Sequence, residues 1–287
     1  MKKLTAVILM ILSLFCLCSC KAGDIDIGFY TPYWNFWNYS SASSFTYSAS
    51  EIKEVDITWV GGSIEVVSSK ESELSVTENS EELADDAKMH YIVKDGKLTI
   101  HYTKALYKED VDASKKHLRV EVPEGIELDI DSVNASVKIG EMALGEIKVT
   151  NVSGQIEFSN LAASKVKIEN VDGSILAGEI VADEFSADSV SGSLNISKIS
   201  ANEVKTKTVS GKTTLGLAKK SQVNISGVSG EVELYIDEQL GATVEYSTMS
   251  GKFSSDKPHK TGEKFYTFGL GEIEVKVETV SGNLKVS

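Results

Sequence analysis

The sequence predicts an all-β fold, a parallel β-helix (β-solenoid) built from coils of nineteen residues. The first observation is a repeat, because a short motif, most often Val-Ser-Gly, recurs at intervals of nineteen within the stretch 126–239. Its copies begin at Val133, Val152, Val171, Val190, Val209 and Val228. A period of this length and regularity is typical of solenoids, in which each unit stacks on its neighbours.

The second observation is strand periodicity within each unit. Apolar residues alternate with polar ones before the valine, as at Ile147 and Val149, and after it, as at Ile156 and Phe158. Side chains on a strand alternate between its two faces, so each unit is predicted to be a strand, a turn, a second strand and a return bend. The glycine provides the tight corner that a β-branched residue resists.

The third observation is that one residue type occupies one column. We expect the valines to stack on coils about 4.8 Å apart and to form the core. A β-sandwich is the alternative, but its strands do not repeat at constant length. A period of nineteen also disfavours hexapeptide prisms and nonapeptide calcium-binding rolls. Right-handed coiling is expected, because parallel crossovers are normally right-handed.

The N-terminal residues 1–19 are predicted to be a lipoprotein signal peptide. Lys2 and Lys3 precede an apolar run that is too short to span a membrane. The run ends in Leu-Cys-Ser-Cys, which resembles a bacterial lipobox, so lipid attachment is predicted at Cys20. The protein is therefore expected on the extracytoplasmic face of the cell membrane. The alternative is an ordinary cleaved signal with incidental cysteines.

Residues 20–50 are predicted to be a lipidated, aromatic-rich tether, because no strand or helix period runs through them. Three roles are open for its rings: capping the first coil, lying at the membrane interface, or stacking on a glycan. The candidate contacts with a partner or the membrane are Tyr33, Trp34, Phe36 and Trp37.

The solenoid domain is predicted to span residues 51–287. It comprises irregular N-terminal coils at 51–125, regular coils at 126–254, and a loop with the last coil at 255–287. A looser coil is expected around residues 89–100, and the polar stretches 78–88 and 102–116 are expected to be projecting loops. Because the chain ends within its last coil, we predict an edge strand at 283–287, protected by Lys285.

Charge and composition exclude some classes of function. The formal net charge of −13 repels phosphate backbones, so no nucleic-acid partner is expected. The sequence contains no dinucleotide-binding or phosphate-binding motif, and no cofactor is predicted. His90 and His101 lie on neighbouring predicted strands, but two histidines alone are a weak metal signal, and no metal site is predicted.

An enzyme on this fold would need carboxylates clustered on one face. Outward-facing Glu157, Glu169 and Asp188 are instead interleaved with lysines, which is typical of cross-strand ion pairs. The serines beside the corner glycines repeat on coil after coil, as structural hydroxyls do and a single nucleophile does not. We therefore predict no catalytic residues.

Two features carry a family resemblance: Gly62-Ser63-Ile64-Glu65-Val66, and the strand from Leu118 to Pro123 followed by the repeated Val-Ser-Gly units. Together they resemble the bacterial β-strand-repeat family labelled "putative adhesin", a domain of unknown function in envelope proteins. The resemblance implies a non-catalytic, cell-surface scaffold for binding, adhesion or envelope sensing, whose partner is an envelope protein or a glycan. The alternative is a carbohydrate-active enzyme, a polysaccharide lyase or hydrolase, on the same fold.

Overall fold

Alternating apolar residues produce long strands, and glycines with positive φ bend these strands at regular corners. The structure is a computed structural model. It describes residues 39–70, 72–79, 83–103, 112–262 and 264–287. The predicted signal peptide, Cys20 and the aromatic candidates Tyr33, Trp34, Phe36 and Trp37 lie outside the described residues.

The N-terminal end contains seven strands and two short 3-10 turns, Ala49–Glu51 and Ala113–Lys115. The strands are β1 (Ser40–Ser41), β2 (Ser44–Ser48), β3 (Glu54–Ser68), β4 (Glu73–Asn79), β5 (His90–Lys94), β6 (Lys97–His101) and β7 (His117–Val122).

The middle of the chain forms stacked parallel coils. Its strands are β8 (Glu127–Ile139), β9 (Met142–Ala143), β10 (Glu146–Ser153), β11 (Ile156–Asp172), β12 (Ile175–Ser191), β13 (Leu194–Thr208), β14 (Lys212–Leu217), β15 (Gln222–Gly227) and β16 (Glu231–Ile236). The register advances by nineteen positions per coil, since Val166 pairs with Phe185, Phe185 with Val204, and Val204 with Val223. The predicted β-solenoid with nineteen-residue coils is confirmed.

The C-terminal end contains six further strands. They are β17 (Ala242–Thr248), β18 (Phe253–Ser255), β19 (Lys260–Thr261), β20 (Phe265–Phe268), β21 (Ile273–Thr279) and β22 (Asn283–Val286).

Each coil has two main walls, one before and one after the corner glycine. Strands β3, β8 and β11–β13 bend at the corner and contribute to both walls. We call the wall before the corner the first wall, in the spatial order β1, β5, β6, β3, β8, β10, β11, β12, β13, β15, β21, β17, β20, β19. The second wall follows the order β2, β4, β7, β3, β8, β11, β12, β13, β14, β16, β22, β18.

The corners depend on backbone that only glycine adopts easily. Gly192 has φ 118°, and a Cβ atom there would lie 1.9 Å from the carbonyl oxygen of Gly173 on the coil below. The packed interior follows directly behind these corners, where apolar side chains such as Phe158 and Phe185 are fully buried. The glycine column therefore lets adjacent coils approach closely enough for their strands to pair.

The spatial order of the coils at both ends differs from the order in the sequence. Strand β3 lies between β6 and β7 on one side and β8 on the other. The predicted looser coil at 89–100 is wrong, because β5 and β6 form an antiparallel hairpin of which β6 alone pairs with β3. The ends of the two predicted loops are also not projecting, since Glu78, Tyr102 and Lys116 are buried.

The predicted C-terminal edge strand is also wrong. Strand β22 pairs with β16 on one side and β18 on the other, so it is internal. A repeat counted along the sequence places each coil beside the previous one. In the structure, however, β21 lies between β15 and β17, and β22 lies between β16 and β18. The regular run of neighbouring coils accordingly ends at β16 rather than at residue 254.

The folded domain begins earlier than predicted. Strand β2 pairs antiparallel with β4, and the side chains of Phe45 and Tyr47 pack on the core. Residues 39–50, assigned to the tether from the sequence, are thus part of the N-terminal cap. The physical reason is an open coil end, which exposes apolar side chains until a further strand covers them.

Candidate binding surface

The valine column lies at the corners of the coils, half-buried at Val133, Val152, Val171 and Val190 and exposed further along the stack. Val209 is 37% exposed, Val228 48% and Val280 46%, and Met249 at the end of the row is 86% exposed. Backbone hydrogen bonds place these residues on successive coils, because the N–H of Val280 donates to Gly227 O and that of Met249 to Val280 O. We call Val209, Val228, Val280 and Met249 the corner ridge. The prediction that the valines form the core is wrong.

Polar residues occupy the inside of the corner instead. Asn151 is fully buried, accepts a hydrogen bond from Ser132 Oγ at 2.9 Å and donates to the carbonyl of Ala135 at 3.2 Å. One coil further on, Asn170 donates to the carbonyl of Gly173 at 3.1 Å. Sequence reasoning missed this column, although the alternation that begins at Ile147 reaches Asn151 and not the valine after it.

The serines beside the ridge hold the corner by backbone contacts. Their hydroxyls donate to the carbonyl of a valine on the neighbouring coil at 3.3–3.4 Å. The donors are Ser153, Ser191, Ser210, Ser229 and Ser281. This confirms the prediction of a structural serine ladder. The ridge is therefore a rigid row of apolar side chains, carried by a hydrogen-bonded corner.

The outer face of the first wall is covered by ion pairs. Lys148 Nζ lies 3.0 Å from Asp129 and 3.5 Å from Asp131. Burial raises the pKa of the Asp129 carboxyl above its ordinary value, and Asp131 adds to this. Burial alone would lower the pKa of Lys148, but Asp131 and Asp129 outweigh it and raise that pKa. The predicted cross-strand pairing is confirmed.

A shallow cavity of about 180 Å³ lies on this face, bordered by Glu127 and Glu146 among others. The lysines on its border have carboxylate partners. Lys165 contacts Glu184 at 3.0 Å and Lys167 contacts Glu169 at 2.8 Å. A face of paired charges keeps the surface soluble and discriminates between partners by charge. Proton transfer would instead need a carboxyl group that is available to the substrate.

Glu233, on the outer face of β16, is only 6% exposed because lysines cover it. Lys212 Nζ lies 2.6 Å and Lys285 Nζ 3.2 Å from its carboxylate, and Tyr235 OH donates to it at 3.1 Å. The hydrogen bond from Lys212 is the main cause that lowers the pKa of Glu233 to about 2. Burial opposes that effect, and the contacts with Lys285 and Tyr235 add to it.

The two neighbouring histidines do face each other. His90 and His101 are register partners on β5 and β6, and His101 Nε2 lies 3.3 Å from Tyr39 OH. Burial is the main cause that lowers the pKa of His101. In the part of the chain that the structure describes, no three His, Cys, Asp or Glu side chains gather closely enough to hold a metal.

A buried ion pair lies at the N-terminal end of the solenoid. Lys116 Nζ lies 2.7 Å from Glu78, donates to the carbonyls of Ala87 and Tyr102, and sits 5.1 Å from the ring centroid of Trp59. Burial lowers the pKa of Lys116, and Glu78 partly offsets this. Sequence reasoning placed both charges in loops. Their role is structural, because they join β4, the segment before β5 and the approach to β7.

Comparisons with known proteins identify the class. The profile of the Toastrack DUF4097 family matches residues 48–287, and the chain belongs to this family. The resemblance inferred from the sequence is confirmed. A comparison with curated proteins finds no match. The part of the chain that the structure describes contains no helix long and apolar enough to cross a membrane.

Several solved structures, each of a "putative adhesin", are similar to this chain. One from Bacteroides fragilis shares 14% identity, covering 85% of this chain and 96% of the other, with a TM-score of 0.52. One from Parabacteroides merdae shares 11% identity over 85% and 95% of the chains, with a TM-score of 0.47. One from Parabacteroides distasonis shares 13% over 85% and 96%, with a TM-score of 0.44. At these identities the first likeness supports the fold alone.

Proposed function

We propose that this protein is a non-catalytic scaffold for binding or adhesion at the cell surface, held on the extracytoplasmic face of the membrane by a lipid on Cys20. The observation that carries the proposal is the corner ridge. Its four side chains lie on successive coils about 4.8 Å apart, which gives a straight apolar row of about 14 Å. Exposed apolar rows on a rigid frame are typical of protein contacts.

The chemistry of the ridge favours an envelope protein as its partner. The side chains of Val228, Val280 and Met249 gain free energy when a partner removes them from water. The net charge of −13 and the paired lysines leave little cationic surface for an anionic polymer. A glycan partner would instead be expected to stack on the aromatic side chains of Tyr33, Trp34, Phe36 and Trp37.

Ion pairing weighs against the alternative, a carbohydrate-active enzyme. A lyase or hydrolase needs an acid and a base that are free to exchange protons with the sugar. On the first wall Asp129, Glu169 and Glu184 are each in contact with a lysine. A carboxylate that is already in contact with a lysine is less available to a sugar substrate.

The contact surface is tested by binding of the purified mature chain, residues 20–287 with Cys20→Ala, to envelope membranes isolated from the source cells. The variant Val228→Ser/Val280→Ser/Met249→Ser should lose at least about tenfold in binding, since each buried methyl or methylene group contributes ~0.8 kcal/mol. The matched control is Val181→Ser, because Val181 is 46% exposed but lies outside the corner. Equal binding by both variants would remove the ridge from the proposal.

The anchor is tested separately in cells. The full chain should fractionate with membranes, whereas Cys20→Ala should appear in the medium or periplasm, because the acyl chains hold the mature protein. Retention of the Cys20→Ala variant in the membrane fraction would contradict lipid anchoring and leave the contact surface unaffected.

A further inference from the structure

Strand β2 forms the outer edge of the second wall at the N-terminal end. It pairs with β4 on one side, and no other described strand pairs with it. The segment 40–50 contains no charged residue and no proline. Natural edge strands normally carry lysine, proline or a bulge that prevents another strand from adding. The opposite end has such protection, since Asp256, Lys257 and Pro258 follow β18.

The backbone of β2 presents hydrogen-bonding groups to this open edge. The N–H of Glu78 donates to the carbonyl of Ser43 at 2.8 Å, and the N–H of Ala49 donates to that of Ser72 at 2.9 Å. The backbone groups of β2 that bond to β4 are therefore those of its odd-numbered residues, because antiparallel strands exchange hydrogen bonds at every second residue. The N–H and C=O groups of Ser44, Thr46 and Ser48 point away from β4.

The sequence of β2 is nearly the same in both directions. Ser44-Phe45-Thr46-Tyr47-Ser48 reverses into itself except that Phe45 and Tyr47 exchange places. Two such strands placed antiparallel about Thr46 bring Thr46 opposite Thr46 and Ser44 opposite Ser48. These pairs, with the Ser48–Ser44 pair that the two-fold symmetry adds, all fall at the residues whose backbone groups are open, so both partners satisfy their N–H and C=O groups together.

The same register places aromatic side chains together. Phe45 of one copy would lie opposite Tyr47 of the other in the closer, non-hydrogen-bonded positions, where cross-strand aromatic pairs are stabilising. These rings are on the inner, half-buried face, and Phe45 already stacks on Tyr91 at 3.7 Å between centroids. The edge is thus complementary to itself in its backbone groups and side chains, and it carries no charge that would repel a second copy.

We propose that a second copy of this chain adds its β2 antiparallel to β2, forming a two-fold dimer in which the second walls join into one continuous sheet. The occupant is another copy because the complementarity is two-fold, as an isologous interface requires. The dimer depends neither on the corner ridge nor on the lipid, so its test is independent of the proposed function. A single short edge strand makes a small interface, and we expect association in the micromolar range or weaker.

Cysteine cross-linking in cells tests the register. The natural cysteines all lie at or before position 20, so an introduced thiol is readily distinguished. Thr46→Cys should give a covalent dimer on oxidation, because facing Cα atoms of a hydrogen-bonded pair are about 5.5 Å apart, within disulfide range. Ser44→Cys is the matched control, since its two copies would be separated by roughly 13 Å along the strands. The double variant Ser44→Cys/Ser48→Cys should cross-link again.

Light scattering on the purified mature chain tests the dimer itself. The chain should approach twice its monomer mass as concentration rises, and Thr46→Pro should weaken this at least tenfold, because proline removes an N–H that points to the open edge. Thr46→Val keeps the backbone and should still dimerise. A monomer at every concentration together with no Thr46→Cys cross-link would overturn the proposal. Equal cross-linking by Ser44→Cys and Thr46→Cys would overturn its register.

Discussion

At the N-terminal end β3 is enclosed between β6 and β7 on one side and β8 on the other, and at the C-terminal end β21 and β22 are enclosed in the same manner. Antiparallel strands then cover both walls at the N-terminal end and the first wall at the C-terminal end. Each end also has a stacked aromatic pair, Phe45 on Tyr91 and Phe253 on Tyr266. The similar topology makes the chemical difference between the two ends informative.

The N-terminal end is held by one fully buried ion pair, in which the side chain of Lys116 is 1% and that of Glu78 0% exposed. The C-terminal end uses ion pairs that reach the solvent, such as Lys285 with Glu233, where the lysine is 38% exposed. A buried charge depends on its partner, whereas a surface charge can be solvated by water. The two ends should therefore respond differently to equivalent substitutions.

The largest expected difference concerns the two lysines. Lys116→Met leaves the Glu78 carboxylate buried without its cation and should lower the free energy of unfolding by about 3–5 kcal/mol, measured by denaturant titration. Lys285→Met is the matched control and should leave the unfolding midpoint almost unchanged. The double variant Lys116→Met/Glu78→Leu should recover part of the loss. If both single variants were equally stable, the distinction between the ends would fail.

The aromatic pairs should give a smaller difference. Phe253→Ala removes a ring that stacks at 3.6 Å on Tyr266 and should cost about 1–3 kcal/mol, below the value for a fully buried phenylalanine. Phe45→Ala should cost less, because the Lys116–Glu78 pair still holds that end. Hydrogen exchange should locate the loss in β18 and β20 for the first variant and in β2 for the second. A larger cost for Phe45→Ala would reverse the predicted order.

The smallest effect is a pH dependence that arises at Glu233, in the C-terminal end. The pKa of Glu233 falls from 4.5 to about 2 on folding, chiefly through Lys212. The unfolded chain binds the extra proton, so this contribution to stability is complete above about pH 4.5 and is lost as the pH falls through about 2. Glu233→Gln should flatten the stability profile in that window. An unchanged slope would show that other carboxylates dominate acid unfolding.

The sequence was sufficient to predict the coils, because the nineteen-residue period appears directly as strand register from Val166 to Val223. It was insufficient for the ends, where β3 and β22 insert between other coils and sequence order no longer equals spatial order. A repeat identifies which strands are equivalent, but only tertiary packing decides which of them become neighbours.

The candidate surface was mispredicted for a different reason. Valine is usually buried, and that expectation was given more weight than the strict alternation that turns Val152 outward and Asn151 inward. Asparagine is tolerated inside because its amide reaches Ser132 and the carbonyl of Ala135. The buried contact between Glu78 and Lys116 had no sequence signal, since the two residues are far apart in the chain and each lies in a polar stretch.

The uninterrupted register from β10 to β13 makes the middle of the molecule extensible. Each step there advances by one whole coil without a shift, and neither end closure includes these strands. Duplicating residues 165–183 would therefore add one coil, lengthening the molecule by about 4.8 Å while leaving both terminal caps as they are. The number of repeats that the gene encodes thus sets the distance between the two terminal caps, in equal increments of one coil.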